Sequence, residues 1–197
     1  MRIVFARAAR GESVATIHRN DGVVVELPSF SRKHRVPHDL AHAVAEREFG
    51  LADGVFGSIA AGAMFDNMRV VAGRPRHDAA ARSGRILATN RRALTLAELM
   101  AGVLHRAVEG NAGIRATDDA RRNWGSLRQD PFPWTDEQVI TAGDALRDLA
   151  GRWATLGAGD GLEFRWPDRL IAPVPPETTR RRSARQPARR AGHGPGR

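Results

Sequence analysis

Residues 14–27 carry two β-branched runs on either side of Asn20-Asp21-Gly22. Asp-Gly accepts the positive φ of a tight turn, so these runs must pair as an antiparallel hairpin. Arg2 to Arg7 alternates weakly and precedes the hairpin after the Arg10-Gly11-Glu12 turn. Three strands are therefore expected before residue 28: Arg2–Arg7, Val14–Arg19 and Val23–Leu27, with Pro28 ending the last. The period then changes. Pro37 sits where a helix can begin, because its missing N–H would be unpaired there anyway. The helix should run from about His38 to Phe49, stopped by Gly50.

On that helix Leu40, Ala41, Val44 and Ala45 share one side, and His38, Asp39, His42 and Glu46 share the other. His38 and His42 are four residues apart, so both imidazoles can reach one divalent ion. Asp39 or Glu46 can add a ligand or act as a base, and Asp53 and Asp66 are further candidate ligands. Metal candidates are thus His38, His42, Asp39 and Glu46, and catalytic candidates Asp39 and Glu46. Zinc is the expected ion, and three protein ligands would leave a position for a small organic substrate. The same residues also suit a solvated polar helix face, with Asp39 opposing the helix dipole.

The pattern differs from the metalloprotease H-E-x-x-H, since Asp39 stands where Glu is needed. The phosphohydrolases with a His-Asp doublet require another His on an upstream helix, and the upstream segment here reads as strands. His38-Asp39-Leu40-Ala41-His42, followed by the small-residue stretch Gly54 to Phe65, resembles a coenzyme Q (ubiquinone) biosynthesis family with an H-D-x-x-H metal-binding helix. In that family a Glu follows about a dozen residues later. Here Gly57-Ser58 stands at the corresponding place, about three residues further along, so the family's third ligand has no counterpart. The resemblance covers about 30 of the 197 residues and implies a metal site on this helix.

Val55 to Val71 is a second segment whose Gly57/Ala61 and Ser58/Gly62 pairs let another backbone come close. Gly73 to Arg92 is Arg-rich and expected to be a loop. Thr95-Leu96-Ala97-Glu98 reads as a capping box. It opens a helix with Leu96, Leu99, Met100, Val103, Leu104 and Ala107 on one stripe and His105 opposite. Asn111 to Trp134 is expected to be irregular, with Trp124 and Trp134 in loops. Thr135 to Gln138 caps a last helix, with Val139, Ala142, Leu146, Leu149, Trp153 and Leu156 on its buried face. Leu162 to Trp166 alternates as a strand able to extend the sheet. The expected fold is α+β: an antiparallel meander packed on about four helices, in one domain over residues 1–172.

There is no cysteine, which excludes thiolate sites and disulfides. No Gly-rich phosphate loop, dinucleotide fingerprint or G-x-S-x-G elbow occurs. No apolar run is long enough to span a bilayer, and the first seven residues lack a leader's apolar core, so a cytoplasmic location is expected. The formal charge is +9, but residues 175–197 contribute seven arginines against one acid, leaving the body near balance. Residues 173–197 are Pro- and Arg-rich and expected to be disordered. Arg180, Arg181, Arg182, Arg185, Arg189 and Arg190 could engage nucleic acid or an acidic partner by charge alone, or merely solubilise the chain. The tail alternative predicts salt-sensitive binding of nucleic acid or an acidic partner that disappears when residues 175–197 are removed. Undiminished binding by the shortened protein in a mobility-shift titration would contradict it.

Overall fold

The computed structural model describes residues 1–7, 12–29, 35–110, 113–157 and 159–177. Arg180, Arg181, Arg182, Arg185, Arg189 and Arg190 lie outside them. The fold is α+β, as the two periodicities require. Strands β1 (Arg2–Arg7), β2 (Ser13–His18), β3 (Val24–Ser29), β4 (Arg69–Ala72) and β5 (Gly161–Arg165) form one antiparallel sheet in the order β4-β3-β2-β1-β5. The hairpin turns as expected: the Arg19 N–H bonds to the Val23 carbonyl at 3.0 Å, and Gly22 takes φ 81°. The expected C-terminal strand joins the sheet, with Ile3 opposite Phe164 and Phe5 opposite Leu162. Pro28 does not end β3 but lies within it, opposite Val14. It is tolerated because β4 pairs only with Val24 to Glu26, which leaves the remainder of β3 as an edge.

One sheet face is apolar. Ile3, Phe5, Ala15, Ile17, Val25, Leu27, Leu162 and Phe164 are buried in the same core as the helices. Helix α1 (His38–Glu48) is wrapped on nearly every side. Its residues from Leu40 to Glu46 are all buried, and it packs against α2 (Val55–Ala61), α3 (Ala79–Glu109) and α5 (Asp136–Ala154). Phe56 on α2 stacks edge-on with Phe5 at 6.1 Å and lies 5.8 Å from Trp166, tying α2 to the sheet side. Helix α5 begins with the expected capping box, Thr135 and Gln138 each bonding the other's backbone N–H.

Several expectations are corrected. Residues 79–92 are not loop. They form the first half of α3, a helix of 31 residues, because the Ala-rich start favours helix and Ser83, Ile86 and Asn90 supply an inward stripe. Thr95 therefore caps nothing. It sits mid-helix, and its hydroxyl donates to the Arg91 carbonyl one turn back. The segment after Val55 is helical only to Ala61, and residues 69–72 form an edge strand instead. Residues 113–127 form α4 (Gly113–Leu127), where irregular chain was expected; Ala116 and Ala120 bury one face. Trp124 lies on that helix. Trp134 is buried, its indole N–H donates to the Phe49 carbonyl at 3.1 Å, and it packs with Trp124, Phe132 and Phe49. No helix among the described residues is long and apolar enough to cross a membrane.

The α1–α2 corner allows no side chain at Gly57, where a Cβ would fall 1.8 Å from the Ala52 carbonyl oxygen. That oxygen belongs to packed backbone and cannot swing aside, so Gly57→Ala should cost about 3 kcal/mol or more in a urea unfolding titration. A loss below about 1 kcal/mol would contradict this packing.

Candidate metal centre

The site grows from the buried face of α1. Glu46 is completely buried and is satisfied from three sides. Its Oε1 accepts the Val55 N–H at 2.9 Å, and its Oε2 accepts the Phe56 N–H at 2.9 Å. These are free amides in the first turn of α2, so the carboxylate takes the place of a missing cap at a positive helix end. Oε1 also meets His42 Nδ1 at 3.1 Å. Such a close approach requires the glycine at position 54, where a Cβ would lie 2.4 Å from Glu46 Cδ. The buried carboxylate thus fixes the orientation of the His42 ring and aims its Nε2 away from α2.

That Nε2 meets Glu98 Oε2 at 2.9 Å, from the facing side of α3. The other oxygen, Oε1, lies 3.2 Å from His38 Nε2. Glu98 is therefore forked between two imidazoles whose centroids are 4.9 Å apart and nearly perpendicular. His38, His42 and Glu98 offer one ligand atom each, all within 4.8 Å of one another, and this group can hold a metal ion. A tetrahedral ion with bonds near 2.0 Å sets its ligands about 3.3 Å apart, so only a small closing movement is needed. The Glu98 side chain is 62% exposed, which puts the group at the surface end of the buried Glu46–His42 line.

Electrostatics follow the geometry. Burial alone would lower the His42 pKa, but the bonds to Glu46 and Glu98 outweigh it and raise the ring to about 9. In the metal-free state the ring is an imidazolium donating from both nitrogens. The His38 and His42 bonds hold the Glu98 carboxyl well below the usual range. Asp39 is half-buried, and burial raises its carboxyl above the usual range. His42 and His38 pull it down, as does a bond from the Ser29 hydroxyl, while Glu98 pushes it up.

Of the residues expected from the sequence, His38 and His42 are brought together and Asp39 stands within their field. Glu46 is engaged by backbone amides and His42 and is not part of the ligating group. Asp53 and Asp66 are not in it either. Glu98, read as half of a capping box, is the carboxylate that completes it. His105 does not face outward as expected. It is buried, bonds the Val36 carbonyl at 3.1 Å and lies 5.6 Å from the His38 ring. Glu98 and His105 are seven residues apart, two turns on one helix face, with small Ala101 and Gly102 between them. That spacing is the signal the sequence offered, since both residues fall on the helix expected after Thr95.

Because the His42 pKa is raised from 6.5 to about 9, the folded metal-free protein holds this proton more tightly than the unfolded chain does. The stabilisation is complete below pH 6.5 and is lost as pH rises through 9. Thermal melts of chelator-treated protein should show Tm falling between these limits, with the slope reduced in His42→Gln. An unchanged slope in the variant would contradict the assignment. No protein-family model, curated protein or solved structure matches the chain.

Proposed function

We propose that His38, His42 and Glu98 form a divalent-metal centre, with zinc the best fit to two imidazoles and one carboxylate, in a protein that acts on a small organic molecule. The observation that supports this most is the Glu98 fork between two Nε2 atoms, one of them on a ring whose Nδ1 is already held by a buried carboxylate. A ligating histidine characteristically donates its other ring N–H to a carboxylate, which fixes ring and tautomer. Glu46 serves His42 in that way, and its two amide bonds keep it from swinging toward the ion. His105 fills the space behind His38.

A bound ion with three protein ligands supplies Lewis acidity and a lowered pKa for coordinated water. The chain's own contribution beside it is Asp39. Burial disposes this carboxyl to carry a proton, while the two imidazoles and the Ser29 hydroxyl favour its anion. A group balanced in this way suits proton exchange with a small substrate at the exposed end of the site. The H-D-x-x-H resemblance to the coenzyme Q biosynthesis family agrees with a metal on this helix, with Glu98 taking the role that Ser58 lacks the carboxylate to fill.

Elemental analysis of purified protein should find close to one equivalent of zinc or another divalent ion. His42→Ala and Glu98→Ala should each lose it, whereas Asp39→Asn should retain it. Glu46→Gln should weaken binding about 10- to 100-fold, the effect of disturbing a ligand's supporting bond. Folded wild-type protein that takes up no metal, even when divalent ions are supplied, would overturn the proposal.

A further inference from the structure

A cavity lies away from the candidate metal centre, between the β2–β3 turn, the end of α2, strand β4 and the first turns of α3. Its volume is about 480 Å³, within the range of small-ligand pockets. Val23, Met64, Val70 and Leu87 give it apolar walls, and Ala79 and Ala80 leave it open beside α3. Its charged lining is Arg19, Arg76, Arg82 and Asp66.

The guanidinium groups are not equivalent. Arg19 is bonded to Asp21 and Arg76 to Asp78 at 3.0 Å. Arg82 uses its Nε to bond the Ala61 carbonyl at 2.8 Å, closing the end of α2. Among the described residues no carboxylate pairs with it, and Asp66 forms no ion pair with it. Arg82 and Arg19 converge on one point: a Cβ at Gly62 would lie 3.0 Å from Arg82 Nε and 3.4 Å from Arg19 Nη2. The Arg19 side chain is only 10% exposed, so this convergence is built into the pocket wall rather than waving in solvent. Arg19 turns its Nε and Nη2 to Asp21, so Arg82, whose terminal nitrogens have no carboxylate partner among the described residues, is the cation placed to hold an anion through charge-assisted bonds. The adjoining walls are mostly apolar: Ser83 is bonded to the Met64 backbone, and Asp66 adds one carboxylate to the lining.

We propose that this cavity binds a small amphiphile, its anionic head on Arg82 beside the Arg19–Asp21 pair and its hydrocarbon body against Val23, Met64, Val70 and Leu87. The head is a carboxylate or a phosphate monoester, both of which a guanidinium can grip with two parallel bonds. The site is independent of the metal reading, because it shares no residue with His38, His42 or Glu98 and needs no ion.

Isothermal titration of the full-length protein with decanoate, decyl phosphate and decanol, each below its micelle concentration, tests this. At least one of the two anions should bind, with decanol weaker by about ten-fold or more; the stronger anion names the head group. Arg82→Gln should weaken that anion about ten-fold and leave decanol unchanged. Arg76→Glu, at an exposed rim position, should weaken the anion in the same direction and decides the matter if Arg82→Gln fails to fold. Decanol binding as tightly as both anions, binding by neither anion, or an unchanged anion affinity in a folded Arg82→Gln protein would overturn the proposal.

Discussion

The carboxylate of Glu46 is the interaction on which the rest of the molecule turns. A charged group without solvent contact is tolerated only when its oxygens are satisfied, and here two amides of α2 and one imidazole of α1 do so. One side chain thus joins the end of one helix to the beginning of the next and orients the ring that faces α3. Removing a partner from such an arrangement leaves a buried charge uncompensated, a loss of about 3–5 kcal/mol in comparable buried pairs. The small residues around it follow from the same constraint. Gly54 admits the carboxylate, and Gly57 lets the α1–α2 connection pass.

From this anchor the structure passes to chemistry in one direction. Glu46 holds His42, His42 meets Glu98, and Glu98 reaches His38. The chain of contacts begins at a fully buried carboxylate and passes through one that is mostly exposed before reaching His38. The buried end is rigid by packing and bonding, while the exposed end is where an ion and a ligand can enter. A site whose orienting groups lie deep and whose open position lies near solvent is preorganised without being sealed. The same contacts form a hydrogen-bonded chain, so an ion taken up there would have to displace a proton from His42.

The sheet and α1 were legible in the sequence because their signals are local. Asp21-Gly22 fixes a turn through backbone conformation, and Pro37 and Gly50 bracket a helix whose apolar side is plain. The Leu162–Trp166 strand was legible through its alternation, although its partner is over 150 residues away. Misreadings occurred where composition and tertiary packing disagree. The Arg-rich stretch before Arg92 looks like loop, yet its inward residues Ser83, Ile86 and Asn90 are spaced for a helix, and Asn90 bonds Ser58 across to α2 at 3.0 Å. A helix opened at Thr95 makes Glu98 a cap residue, and a stripe drawn only through the apolar residues from Leu96 to Ala107 turns His105 outward, although α3 buries it. Both errors concealed the third member of the group. His38 and His42 needed only helical spacing to be seen; Glu98 needed the contact between α1 and α3, which no local pattern contains.

Anomalous diffraction from zinc-loaded crystals tests the central claim most directly. The account predicts one strong peak about 2.0–2.2 Å from an imidazole nitrogen of His38, Nε2 of His42 and a carboxylate oxygen of Glu98, with Glu46 still on the α2 amides. A peak elsewhere, or one ligated by Glu46 in place of Glu98, would contradict it.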